Sequence, residues 1–177
     1  IEGRVETLFG DSIAAIEDTG EVVRVAFDRA APREFDLVVG ADGLHSRVRR
    51  IAFRPDDGVE RDLGYRVATF EAAGYRPRDE LAYVAHGVPG RQVARMALGD
   101  DLTTFLFVFR AGLTARPDPA SAAEARGLLR EVFAGLAWET PQILDAMDRA
   151  GEIYFDRVSQ IRMPSWSKGR TALVGDA

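Results

Sequence analysis

Two aspartates stand behind glycines at the ends of short apolar runs, Leu37-Val38-Val39-Gly40-Ala41-Asp42-Gly43 and Thr171-Ala172-Leu173-Val174-Gly175-Asp176-Ala177. An apolar run without alternation is the pattern of a strand covered on both faces, and in open α/β sheets ligands gather beyond the carboxyl ends of such strands. Glycine there lets a ligand come close to the backbone, and a carboxylate offers two acceptor oxygens to sugar or ribitol hydroxyls. The chemistry these residues could do is recognition of a nucleotide-type cofactor. The first run continues as Leu44-His45-Ser46-Arg47-Val48-Arg49, which spaces Asp42, Gly43, Ser46 and Arg49 across a turn that opens a helix. An aspartate in that place also suits a plainer role, capping the turn with its side chain.

The stretch from Asp36 to Arg49 resembles the second FAD motif of the flavin-dependent aromatic hydroxylases, the para-hydroxybenzoate hydroxylase family of class A flavoprotein monooxygenases. Gly169-Arg170-Thr171-Ala172-Leu173-Val174-Gly175-Asp176-Ala177 resembles the third, and the two occur in the family's order. The approach to the third motif, Tyr154 to Val158 and Met163 to Gly169, is similar to that of bacterial members. The resemblance implies an FAD-dependent monooxygenase that uses NAD(P)H and O2 to hydroxylate an aromatic or polyketide-like small molecule. It implies cofactor binding by Asp42, Gly43, Ser46, Arg49, Gly175 and Asp176, with Asp42 near the FAD pyrophosphate and Asp176 accepting from a ribitol hydroxyl. No catalytic acid or base can be named, since the difficult chemistry in such enzymes belongs to the cofactor. Gly-x-Gly-x-x-Gly, the turn that holds a pyrophosphate against a helix N-terminus, does not occur after a strand. The chain is therefore expected to be an internal segment of a longer enzyme, inactive alone.

Two other readings compete. A related FAD enzyme, such as a halogenase or isoprenoid reductase, would share the motifs, but the Trp-x-Trp-x-Ile-Pro of a halogenase has no counterpart in Trp138 and Trp166. A non-enzymatic remnant would keep the architecture and lose the cofactor.

Composition narrows the field. A formal charge of -5 argues against a nucleic-acid partner, whose phosphates favour a basic face. With no cysteine, disulfides, thiolate catalysis and cysteine-ligated metals are excluded, and the two histidines, His45 and His86, cannot build a conventional zinc site unless carboxylates complete it. No apolar run approaches the ~20 residues that span a bilayer, so a cytoplasmic location is expected, with no membrane partner. Oligomeric state is not legible.

The elements that must position the motifs follow from pattern. Ser12 to Glu17 and Glu21 to Phe27 flank Asp18-Thr19-Gly20, a hairpin signature, and Pro32 precedes a buried strand from Phe35 to Val39. Tyr65 to Phe70, Leu81 to His86, Arg91 to Ala97 and Thr103 to Phe109 read as antiparallel strands. Ser121-x-x-Glu124 is a capping box ahead of Leu128, Leu129, Val132, Phe133 and Leu136 at helical spacing, and Thr140-Pro141 opens a second helix ending near Gly151. The expected fold is α/β: part of an FAD-binding, Rossmann-like parallel sheet (1–51 and 161–177) interrupted by an antiparallel sheet-plus-helices substrate domain (52–160). His86, Arg91, Arg95 and Arg110 on that sheet could face either a pocket or solvent.

Overall fold

The computed structural model describes residues 5–53, 59–79 and 81–177. In chain order its elements are β1 (Ile13–Asp18), β2 (Val23–Phe27), β3 (Arg33–Phe35), β4 (Val38–Gly40), α1 (Arg47–Ala52), β5 (Val59–Ala73), β6 (Tyr83–Val88), β7 (Arg91–Ala97) and β8 (Leu102–Arg110). A 3-10 turn (Ala111–Leu113), α2 (Ala122–Val132), α3 (Thr140–Arg149), β9 (Tyr154–Arg162), β10 (Ser167–Lys168) and β11 (Thr171–Leu173) complete them. The chain divides into two units, Ile1–Arg61 with Ser159–Ala177, and Asp62–Val158.

In the first unit, β1 and β2 form the expected hairpin and β3 adds to β2, giving the order β1-β2-β3. The strand expected from Phe35 to Val39 is in fact two. Phe35 pairs antiparallel with Val23, whereas Val38 pairs parallel with Thr171. The switch is fixed at Asp36 and Leu37, where the Arg170 guanidinium donates to the Asp36 carbonyl (3.2 Å) and Val38 N–H donates to the Arg170 carbonyl (2.9 Å).

β11 lies between β10 and β4, antiparallel to the first and parallel to the second, with Leu173 opposite Gly40. Burial on both faces is not what these strands show. Val38 and Leu173 are buried with Val23, Val25, Val48 and Phe53, while Val39 and Val174, on the other face, are 50% and 49% exposed. Helix α1 approaches β4 closely because residue 40 is glycine: a Cβ there would lie 2.8 Å from Val48 Cβ and from Leu173 Cδ2.

The second unit is a five-stranded sheet of order β6-β7-β8-β5-β9, with α2 and α3 packed on one face. Strand alternation puts Ala68, Phe70, Val93, Phe105, Phe107 and Phe109 against Leu129, Phe133, Ile143 and Met147. Phe70 and Phe105 stack with centroids 4.7 Å apart. The capping box forms, with Ser121 Oγ accepting from Glu124 N–H at 3.2 Å. Helix α3 starts one residue earlier than its sequence suggests. Glu139 is the N-cap and Thr140 is already helical, its hydroxyl donating to the Ala137 carbonyl (2.8 Å). Trp138, which helical spacing would continue from α2, lies in the connection at φ +64° and stacks on His86.

Candidate cofactor site and substrate face

Parallel pairing brings the two glycine-aspartate ends together. Val174 N–H donates to the Gly40 carbonyl (2.9 Å), so Ala41 to Gly43 and Gly175 to Asp176 leave neighbouring strands in one direction. Gly43 and Gly175 both take left-handed φ, +75° and +67°, and open space surrounds the place a Cβ would occupy at each. Such turns favour glycine, and they leave the backbone uncovered.

Asp42 faces the N-terminus of α1. Its Oδ1 accepts from the Ser46 hydroxyl (2.5 Å), and its Oδ2 accepts from the N–H groups of Arg47 (2.6 Å) and Val48 (3.1 Å). Partial burial alone would raise this carboxyl's pKa, but the bonds from Ser46, Val48 and Arg47 outweigh it and hold the pKa below the usual value. A carboxylate has about four acceptor positions, and three are used internally. Ser46 is fully buried and caps the helix, accepting from Arg49 N–H at 3.0 Å.

Arg49 makes no salt bridge among the described residues. Its Nη2 donates to the Leu44 carbonyl (2.6 Å), while Nη1 is buried with no partner. A buried, unpaired donor is costly. Arg47 binds both Asp28 oxygens at 2.6 and 2.9 Å, a partly exposed ion pair. Asp176 is exposed, and no described residue donates to its carboxylate. The loop before β11 is pinned separately, Arg170 N–H donating to Asp18 Oδ2 at 2.7 Å.

On the sheet of the second unit, β5 and β8 pair Tyr65 with Arg110, Val67 with Val108, Thr69 with Leu106 and Glu71 with Thr104. These residues lie on the face away from the helices, and Arg66, Ala68 and Phe70 on the helix face. The four uncertain sheet residues divide accordingly. Arg91 reaches the Val132 carbonyl (2.7 Å), His86 stacks on Trp138, and Arg95 is buried under the helices, whereas Arg110 faces away from them.

Arg95 was left open between pocket and solvent by the sequence, which did not show the polar cluster it holds together. Its Nε and Nη2 bind Glu139 (2.8 and 3.2 Å), Nη2 also binds Asp79 (2.8 Å), and Tyr75 OH donates to Glu139 Oε2 (2.9 Å). An arginine alternating with Val93 and Ala97 was the only available signal.

Among the described residues no cluster of histidine, aspartate and glutamate could hold a metal, and no helix is long and apolar enough to cross a membrane. The mixed α/β fold, with its antiparallel sheet, is that of the substrate-binding domains of FAD-dependent monooxygenases. Against the crystal structure of the tetracycline destructase Tet(55) the TM-score is 0.76, with 31% identity over 93% of this chain and 44% of that one. In sequence, a flavin-dependent monooxygenase of Legionella longbeachae is 32% identical over 173 residues, 98% of this chain and 44% of the relative. An uncharacterised protein of Mycobacterium tuberculosis H37Rv is 40% identical over 176 residues, 98% and 46% respectively. No protein-family model matches. The chain is thus related, over nearly its whole length, to the flavin-dependent monooxygenases, and it spans less than half the length of these relatives.

Proposed function

We propose that this chain carries part of the FAD site and the substrate sheet of an FAD-dependent monooxygenase that uses NAD(P)H and O2 on an aromatic or polyketide-like small molecule. One observation carries the reading: the in-register parallel pairing of β4 with β11, which sets two left-handed glycines and an unengaged aspartate at adjacent strand ends. Three features fit FAD there. Asp176 offers an acceptor to a ribitol hydroxyl, Gly43 and Gly175 leave room for close approach, and Arg49 Nη1 is a buried donor without an acceptor. When bound, FAD would supply the oxygen-activating redox chemistry.

The protein's own groups bind and orient. Asp42 and Ser46 hold the turn so that Gly43 and Arg49 keep their places, Asp42 having one acceptor position left for the cofactor. The sheet face carrying Tyr65, Val67 and Thr69 meets the substrate and excludes water from it. On this reading residues 1–51 and 161–177 belong to the cofactor domain and 52–160 to the substrate domain.

The test is FAD titration of the full-length parent and its Asp176→Ala variant. A lost bond to a charged acceptor, roughly 1.5 to 3 kcal/mol, should weaken FAD about ten- to a hundredfold. Equal dissociation constants would remove Asp176 from the site, and a parent that takes up no flavin would overturn the function.

A further inference from the structure

We propose that the sheet face turned away from the helices holds an anion-binding subsite centred on Arg110, which takes a carboxylate or enolate oxygen of a planar substrate. The inference deepens the proposed function and rests on its reading that this face meets the substrate. A hollow of about 220 Å³ opens at the end of the sheet, lined by Tyr65, Gly87, Arg91, Gln92, Val108 and Arg110 among others. Register explains it. Gly87 lies opposite Gln92, Gln92 opposite Val108, and Tyr65 opposite Arg110, so the missing side chain of Gly87 leaves a gap between larger neighbours.

The electrostatics of the hollow run against those of the chain. Acidic residues outnumber basic ones, 28 to 23, yet no carboxylate lines this space, and the guanidinium it holds is that of Arg110, since the Arg91 side chain lies on the helix face. Arg91 spends one nitrogen on the Val132 carbonyl. Among the described residues the Arg110 guanidinium donates from Nε alone, to Tyr65 OH at 3.3 Å, and no carboxylate lies within ion-pair distance of it. On β5 from Tyr65 to Ala73 and on β6 to β8, the acid on this face is Glu71, six residue steps along the β5–β8 ladder from Arg110; on the edge strand β9, Asp156 alternates with the core-packed Phe155 and so shares the face, with Tyr154 OH donating to its carboxylate (2.7 Å). At about 3.3 Å per residue Glu71 is roughly 20 Å away, about two Debye lengths at physiological salt and too far to neutralise the guanidinium, and β5 separates β9 from the strand that carries Arg110.

Arg110 is also held in place. Its backbone N–H donates to the Gly90 carbonyl (2.9 Å), and its stem lies over Gly90, where a Cβ would come within 3.6 Å of Arg110 Cδ. The free edge of the guanidinium is thus presented with the Tyr65 hydroxyl beside it, and Gln92 is tied to Tyr83 OH (2.8 Å). A planar fork with unused N–H donors matches the two oxygens of a carboxylate or of an enolised diketone.

The test uses two probes of one shape, 2-naphthoate and 2-naphthamide, titrated calorimetrically into the full-length parent and its Arg110→Gln and Tyr65→Phe variants. Arg110→Gln should weaken naphthoate about tenfold or more and leave naphthamide within about twofold, since only the anion loses a charge-assisted bond. Tyr65→Phe should cost naphthoate less, its hydroxyl being an auxiliary donor. Flavin absorbance should be equal in all three proteins, which separates this result from any failure of the cofactor reading. The subsite is overturned if the parent does not prefer naphthoate, if Arg110→Gln leaves naphthoate unchanged, or if both probes weaken together.

Discussion

Ser46 Oγ donates to Asp42 Oδ1 at 2.5 Å and accepts from Arg49 N–H at 3.0 Å, so one buried hydroxyl ties the end of β4 to the first turn of α1. On the proposed function, the capping role and the cofactor role of this segment are therefore coupled. Asp42 spends most of its acceptor capacity on the helix, and that fixes where Gly43 and Arg49 stand.

Removing that hydroxyl should show the coupling. Ser46→Ala leaves Arg49 N–H without its cap and frees one oxygen of Asp42. The loss should be about 1 to 3 kcal/mol of stability, read from urea denaturation. Ser46→Thr, which keeps the oxygen, should retain most of it.

Acid should act through Asp42. Its carboxyl pKa lies below the unfolded value of about 3.9, so its contribution is present above that value and is lost as pH falls through the folded pKa. Asp42→Asn should thus be less stable than the wild type at pH 7, and the gap should narrow below about pH 4. A gap that stays constant to pH 3 would mean that the carboxylate's charge contributes nothing.

Some of this architecture was legible in the residues and some was not. The β1–β2 hairpin and α2 follow from local signals, the Asp18-Thr19-Gly20 turn and the Ser121 box ahead of a helical stripe. The division of Phe35 to Val39 into two strands is not local, since Arg170, far along the chain, decides it. β9 reads poorly because Asp156, Arg157, Gln160 and Arg162 interrupt its apolar positions, as an edge strand allows. At the site, the motif residues and their spacing were legible, but which partner each engages was not. Asp42 turned out to be largely committed to α1, and Arg49 to hold a buried nitrogen without a partner. Alternation likewise gave two sets of sheet residues without saying which met the helices.

The Arg95 cluster yields a prediction about stability alone. Arg95 is 3% exposed and holds Glu139, the N-cap of α3, so Arg95→Met would leave a largely buried carboxylate without its cation. A cost of about 3 to 5 kcal/mol is expected. Adding Glu139→Gln should recover part of it. Burial first, and then the bond to Glu139, pushes the Tyr75 hydroxyl above the usual tyrosine value. Its contribution is full below the unfolded pKa of about 10 and falls as pH rises toward the folded value. The stability gap between wild type and Tyr75→Phe should therefore shrink above about pH 10, as measured by thermal melts.

On the proposed function, alternation on β5 separates folding from substrate handling within a few residues. Phe70 is buried in the aromatic cluster with Phe105 and Phe107, and truncating it to alanine should cost about 3 to 5 kcal/mol. Val67 and Thr69 face away from the helices and are only partly buried, so Val67→Ala and Thr69→Ala should each cost about 1 kcal/mol or less. If that face meets the substrate as proposed, their effect belongs in turnover. A misplaced substrate ring should raise KM or divert NAD(P)H oxidation into hydrogen peroxide, with FAD content unchanged. Steady-state kinetics of the full-length parent, with peroxide measured alongside product, would check this. If the Val67 and Thr69 variants kept parental KM and coupling while losing as much stability as Phe70→Ala, that face would be packing surface and the substrate would have to bind elsewhere.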